Sequence, residues 1–291
     1  MGTLYLVATP IGNLEDITLR ALRVLKEVTL IAAEDTRTAR NLLAHFHLAT
    51  PVAAYFEPVY ARARGLGDPA PTKKLDRILD ALERGDVAVI SEAGMPGLSD
   101  PGYALVRAAL ARDFRVVPIP GANALTTALV ASGLPTDQFV YLGFLPRQKS
   151  ARRTLLQSVA EEPRTLVAYE APHRVRASLD DIAETLGDRA VCVARELTKV
   201  YEEFFRGTVS AAREHFRATA PRGEFTLVIA GQQAASSKQQ AVDTGQWDDA
   251  RVREAVRDLI AAGLPRTDAV KRVAHESGRE RRAVYQLAIS R

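Results

Sequence analysis

One cysteine, Cys192, occurs in 291 residues, which excludes an intrachain disulfide and a zinc site built from cysteines. It lies in the apolar run Val191-Cys192-Val193-Ala194, where a packed thiol is expected rather than a reactive one. There is no His-Glu-x-x-His, and His45 and His47 stand alone near the end of an expected helix, so no metal site is expected. The loop after the first strand lacks Gly-x-Gly-x-x-Gly, and the chain has no Gly-x-x-x-x-Gly-Lys. Both absences argue against a dinucleotide-dependent oxidoreductase and a P-loop nucleotidase. No run approaches about eighteen apolar residues, so no membrane span is expected. The N-terminus enters a strand without a basic and then apolar leader, and a reducing cytoplasm is the expected compartment.

What is present is an ordinary globular composition, 47% hydrophobic and 25% charged, in a chain long enough for about two domains. The formal charge is +4. The excess is local: from Leu264 onward there are seven Lys/Arg against three Asp/Glu, a balance that suits nucleic acid or a solvated helix face equally.

Short apolar runs alternate with amphipathic segments from Thr3 to Ile229, which predicts an α/β fold with a mostly parallel first sheet. Residues 1–119 are expected to form one α/β domain and 120–231 a second. Gln232 to Gln246, rich in Gln, Ala and Ser, reads as a flexible linker, and 247–291 as a basic three-helix module with a helix-turn-helix outline. In that module Asp248 and Thr267 are expected to cap the first two helices. Glu57 to Lys74 has no clear periodicity and reads as a surface loop, a candidate lid or substrate contact.

The stretch from Ser91 to Gly102 is the focus. It follows the buried-strand run Val87-Ala88-Val89-Ile90 and exceeds the usual two to six or so residues of such connections. It ends in Asp100-Pro101, which reads as a helix N-cap followed by a proline at the first helical position. In open α/β sheets ligands bind beyond the carboxyl ends of the strands, so a binding loop is expected here. Glu34-Asp35-Thr36-Arg37 closes the second strand at the same edge, where a carboxylate can accept a proton or simply cap a helix. Pro120-Gly121-Ala122-Asn123 precedes a helix N-terminus in the same way. Tyr169-Glu170-Ala171-Pro172-His173-Arg174 and Arg195-Glu196-Leu197-Thr198-Lys199 follow strands of the second half; they read either as phosphate contacts or as structural ion pairs.

Together with Thr9-Pro10-Ile11-Gly12-Asn13-Leu14-Glu15-Asp16, Ala131-Ser132-Gly133-Leu134-Pro135 and Gly143-Phe144-Leu145-Pro146-Arg147, these stretches resemble the tetrapyrrole-methylase-like (class III) methyltransferases. Their combination and order are similar to the bacterial small-subunit ribosomal RNA 2′-O-ribose cytidine methyltransferases. The resemblance runs through most of residues 3 to 231. It implies two mixed α/β domains with S-adenosylmethionine in the cleft between them, a small C-terminal helical module, a homodimer, and ribosomal RNA or the small subunit as substrate. It further implies that Pro10, Ala93, Gly94, Met95, Leu98, Ala122, Asn123, Ala124, Tyr169, Ala194, Glu224 and Thr226 line the cofactor site. Three features depart from the family pattern: Glu92 stands where Asp is usual, Met95 where Thr is usual, and Ala122-Asn123 where Pro-Ser is commoner.

The implied reaction moves a methyl to a ribose hydroxyl, which needs in-line positioning and a nearby base. Asp35 is the first candidate, then Glu34, then His173. Arg37, Arg147, Arg174 and Lys199 are the candidate phosphate contacts. Two alternatives stay open: a tetrapyrrole carbon methylase of the same fold, against which the basic tail and arginine-rich motifs argue, and an RNA-binding relative without activity.

Overall fold

The computed structural model describes residues 2–55, 73–232, 247–261, 263–277 and 279–289. Most of the expected surface loop (57–72) and most of the expected linker (233–246) lie outside the described residues. Lys73 and Lys74 are not loop: they open a helix.

The first half builds a five-stranded sheet from β1 (Thr3–Val7), β2 (Leu30–Ala33), β3 (Val52–Ala54), β4 (Val87–Ile90) and β5 (Arg115–Ile119), in the order β3-β2-β4-β1-β5. Every pairing is parallel. The strands connect through α1 (Leu19–Glu27), α2 (Thr36–His45), α3 (Lys73–Arg84) and α4 (Tyr103–Leu110). Burial explains the strand sequences: Val87 and Val89 pack beneath α3 and α4, whereas Ala88 and Ile90 pack beneath α1 and α2. A strand covered on both faces reads as a continuous apolar run rather than an alternating one. Pro118 is tolerated because β5 is an edge strand.

After β5 come α5 (Ala124–Ala131), β6 (Phe139–Phe144), α6 (Lys149–Ser158), β7 (Thr165–Glu170), α7 (Val175–Leu186), β8 (Ala190–Arg195), β9 (Glu203–Thr208), α8 (Val209–Ala218) and β10 (Phe225–Ile229). The second sheet, ordered β6-β7-β10-β8-β9, is not mostly parallel: only the β6–β7 pairing is parallel, because β10 inserts antiparallel between β7 and β8 and β9 pairs antiparallel with β8. One face packs on α6, α7 and α8 through residues such as Leu156, Leu179 and Phe216; the other packs on α5 through Leu125, Ala128 and Leu129. Both sheets lie in one compact unit, residues 1–234.

The second unit, 235–291, carries α9 (Asp249–Ala261), α10 (Arg266–Ser277) and α11 (Arg281–Ile289) around Val252, Val256, Val270, Val273 and Val284. Asp248 caps α9, accepting from the Arg251 amide at 2.8 Å. Thr267 is not a cap, since α10 already begins at Arg266.

Candidate active site

The chain leaves β1 toward β2 on one side and leaves β4 toward β5 on the other, although β1 and β4 are neighbours. Their carboxyl ends therefore flank a crevice of the kind in which α/β sheets bind ligands. The two loops are stitched together there. The Thr9 amide donates to the Gly94 carbonyl at 2.9 Å and the Gly94 amide returns a bond to the Thr9 carbonyl at 3.0 Å. Ser91 Oγ also donates to the Gly94 carbonyl, at 3.0 Å. Gly94 sits at φ +85°, and a Cβ there would lie 3.3 Å from Ile11 Cγ2. On the neighbouring β5 loop, a Cβ on Gly121 would come within 2.9 Å of Ala8 Cβ. Backbone, rather than side chain, walls this part of the crevice.

The far end of the Ser91–Gly102 loop reaches the second sheet. Ser99 adopts φ +66°, unusual for a residue with a side chain, and its Oγ lies 2.6 Å from the Tyr141 hydroxyl of β6. The expected Asp100-Pro101 helix start does not form: α4 begins at Tyr103 and its N-cap is Gly102 at φ +142°. The reason is packing: a Cβ on Gly102 would lie 3.2 Å from the Gly97 amide, which itself donates to the Pro101 carbonyl at 3.0 Å. The loop closes on itself first, and Asp100, half-buried, stays in the loop instead of on the helix.

Across the second sheet, register aligns Tyr169 of β7 with Thr226 of β10, and Thr226 with Ala194 of β8. Three expected cofactor residues, more than fifty positions apart at the extremes, thereby form one lateral row. The Tyr169 hydroxyl accepts from the Leu125 amide at 3.1 Å, tying the row to the first turn of α5. Asn123 caps that helix by accepting from the Thr126 amide at 3.2 Å, and Ala122 and Ala124 pack with Ile11, Tyr169 and Ala194. Pro10 adjoins Ile11, half-buried; Met95 and Leu98 are half-buried, and Ala93 and Glu224 are exposed.

Four carboxylates act on one another at this edge. The register Ala33 to Ile90 sets Glu34 beside Ser91. Burial, then Glu92, raises the Glu34 pKa. Asp100 is raised furthest, to about 7, by burial first and then by Glu34, Glu92 and Glu224, against a lowering hydrogen bond with Ser91. Among the described residues no group of three or more His, Cys, Asp or Glu is placed to hold a metal ion.

The other candidates fall out differently. Asp35 is the N-cap of α2, accepting from the Arg37 amide at 2.7 Å and pairing with the Arg37 guanidinium at 2.9 Å; these bonds hold its carboxyl at about 2. His173 is exposed on the turn before α7. Arg174 is not an open phosphate arm. It pairs with the buried Glu170 at 2.6 Å and donates to the Leu145 carbonyl at 2.9 Å. Lys199 is engaged too, by Glu196 at 2.8 Å and Glu224 at 3.3 Å. Arg37, its side chain 86% exposed beside Asp35, and the exposed Arg147 remain on the surface. The sequence points to neither Ser99 nor Tyr141, and to Asp100 only as a helix cap. The available signal was Gly102 directly after Pro101, a residue poorly suited to helix continuation.

A crevice at the switch point of a parallel sheet, closed by a second mixed sheet, defines a class. The profile of the tetrapyrrole (corrin/porphyrin) methylases matches residues 3–213, and the chain belongs to that family. Within it, the chain is 46% identical over 286 residues to the ribosomal RNA small subunit methyltransferase I of Halalkalibacterium halodurans, covering 98% of this chain and 94% of that protein. The protein of the same name from Synechocystis sp. is 45% identical, over 99% of this chain and 98% of its own. The solved structure of a diphthine synthase matches with a TM-score of 0.59 over 80% of this chain and 91% of that one, at 11% identity, a likeness of fold alone.

Proposed function

We propose that this chain is an S-adenosylmethionine-dependent methyltransferase that modifies a cytidine ribose 2′-hydroxyl in small-subunit ribosomal RNA. The observation that carries the reading is the near-full-length similarity to proteins named for small-subunit ribosomal RNA methylation. The cytidine and its 2′-hydroxyl rest on the motif resemblance described above.

The residues present suit the cofactor. Gly94 and Gly121 leave a cradle that a Cβ would crowd, and Ala93, Ala122, Ala124 and Ala194 keep the walls low. The neighbouring carboxylates provide negative potential for a sulfonium cation. On this reading Pro10, Met95 and Leu98 border the first sheet's side, and Asn123, Tyr169, Glu224 and Thr226 the second sheet's side. The cofactor supplies an already activated methyl, so the chain's task is to orient a hydroxyl and take up its proton. The exposed Arg37 and Arg147 are the arginines suited to RNA phosphates. The target must be a loop or a turned-out nucleotide, because A-form duplex hides it.

The same reading includes a homodimer in the cytoplasm. Among the described residues, Val200 is 93% exposed and Tyr201 76%, apolar surface of a kind that a second copy would cover. No helix of the described residues is long and apolar enough to cross a membrane.

The test is transfer of labelled methyl from S-adenosylmethionine into small ribosomal subunits or their RNA, with a porphyrinoid acceptor in parallel. Label in RNA, mapped to a cytidine 2′-O position that loses its methyl in cells lacking the protein, is the expected result. Label in the porphyrinoid alone would establish the tetrapyrrole alternative. Cofactor binding with no transfer would leave a relative without activity.

A further inference from the structure

We propose that the outer face of α11 is an RNA-binding surface, its arginines holding phosphates and Tyr285 stacking on an unpaired base; this rests on the function proposed above. Three side chains build the face. Arg281, Arg282 and Tyr285 are exposed, Tyr285 by 43%, while Val284 is fully buried and Leu287 and Ala288 pack on the same core. Spacings of four and three residues bring Arg281 and Arg282 onto the side of the helix that carries Tyr285.

The fold does not use up the charge on this face. Elsewhere in the module it does: Arg279 pairs with Asp249 at 2.5 Å and donates to the Trp247 carbonyl, and the Arg251 guanidinium lies 4.7 Å from the centre of the Trp247 ring. Charge on α9 is balanced, with Arg251, Arg253 and Arg257 against Asp249, Glu254 and Asp258. By contrast α11 has no carboxylate from Arg281 to Ile289, and neither of its arginines has an ion-pair partner among the described residues. Helix stability does not account for them either, because cations in a first turn oppose the helix dipole. Two uncompensated cations one turn from an exposed aromatic ring suit a nucleic-acid strand, with phosphates met by charge and a base by stacking. Bases inside an A-form duplex are already stacked, so the occupant is a loop or a single strand.

A separate observation assigns the face to affinity rather than to chemistry. The ribosomal RNA small subunit methyltransferase I of Thermotoga maritima is matched along its whole length by 80% of this chain, at 46% identity over 234 residues. The first unit is residues 1–234, and α11 belongs to the second, 235–291. About a fifth of the chain has no counterpart in that protein, the share that the second unit makes up. An added binding surface fits that pattern; a part of the methyl-transfer machinery does not.

The experiment uses the full chain with protein-free small-subunit RNA and with assembled small subunits. Its variants are Arg281→Gln with Arg282→Gln, Arg281→Lys with Arg282→Lys, Tyr285→Ala and Tyr285→Phe. As a control, Arg253→Gln with Arg257→Gln removes the same charge from α9. RNA affinity is measured from about 50 to 200 mM salt, beside the transfer rate at saturating RNA, S-adenosylmethionine affinity and the thermal midpoint. The charge-removing pair on α11 should bind RNA about tenfold more weakly, with a salt slope lower by about 1.5, and the charge-keeping pair should restore the slope. Tyr285→Ala should lose about fivefold or more at unchanged slope, and Tyr285→Phe should keep the wild-type affinity. The rate at saturating RNA, the cofactor affinity and the midpoint should hold in all of them, so that KM rises and kcat does not fall. Unchanged RNA affinity in the charge-removing pair would overturn the proposal, as would an equal loss in the α9 control or a fall in kcat alone. A loss confined to assembled subunits and insensitive to salt would also overturn it, in favour of a protein partner. Failure of the function proposed above looks different: the wild type would transfer no methyl to RNA, whatever the affinities of the α11 variants.

Discussion

Tyr141 and Ser99 join hydroxyl to hydroxyl at 2.6 Å, linking the β4 loop of the first sheet to β6 of the second. The bond is partly buried, and it holds Ser99 in a left-handed conformation that a serine rarely keeps unaided. Tyr141→Phe should cost about 1 kcal/mol in denaturant unfolding. It should also weaken S-adenosylmethionine binding severalfold, because the loop loses its anchor. A calorimetric titration beside the unfolding curve checks both.

Gly94 answers to a second constraint. Its φ of +85° costs an alanine about 1–2 kcal/mol, and the new Cβ would press on Ile11 at 3.3 Å. Gly94→Ala should therefore strain the Thr9 bridge and lower cofactor affinity by about tenfold, more than it lowers the thermal midpoint in relative terms.

Asp35→Asn tests the first candidate base directly. Asparagine caps a helix as well as aspartate does, and the carboxylate it replaces is a weak base held at about 2 by Arg37. Turnover at saturating RNA should change by less than about threefold. A loss of about a hundredfold would make Asp35 the base.

The pH dependence of stability follows from Asp100. Its folded pKa, about 7, exceeds the ordinary 3.8, so the folded chain binds a proton more tightly than the unfolded chain. Its contribution is therefore a destabilisation that grows from about pH 4 to about pH 7 and stays complete above that. Asp100→Asn removes this term. Its melting midpoint should lie above wild type at pH 8 and close to it at pH 4. Equal shifts at both pH values would contradict this environment for Asp100.

Away from the crevice, Arg152 and Asp181 form a buried pair between α6 and α7, with side chains 5% and 2% exposed. Burial alone would raise the Asp181 pKa, but bonds from Arg153 and Arg152 outweigh it and hold it below 3.8. The pair's contribution is present above about pH 4 and lost as pH falls further. Arg152→Ala leaves Asp181 with Arg153 alone and should cost about 3 kcal/mol, measured by urea unfolding at pH 7.

Much of the architecture was legible in the chain. Val87-Ala88-Val89-Ile90 announces a strand buried on both faces, and Thr18 and Asn123 cap the helices they precede, each through a backbone amide three residues on. These features depend on neighbours a few positions away, and local sterics and hydrogen bonding are written in local sequence. The motif stretches likewise fall on loops at the carboxyl ends of strands, after β1, β2, β4, β5, β7 and β8. They did not say what each charge in them meets.

That meeting is a tertiary matter. Arg174 and Lys199 read as phosphate arms until folding brings them to Glu170 in one case and to Glu196 and Glu224 in the other. The row Tyr169–Thr226–Ala194 exists only because β10 inserts between β7 and β8. Asp35 and Asp100 are the same residue type in the sequence. One gains an arginine at an exposed helix start; the other gains burial and three carboxylates from distant segments. Local sequence pattern determined that this chain folds as α/β and where its loops fall. Only the assembled field and burial around each carboxyl determined which of them can hold a proton near neutral pH.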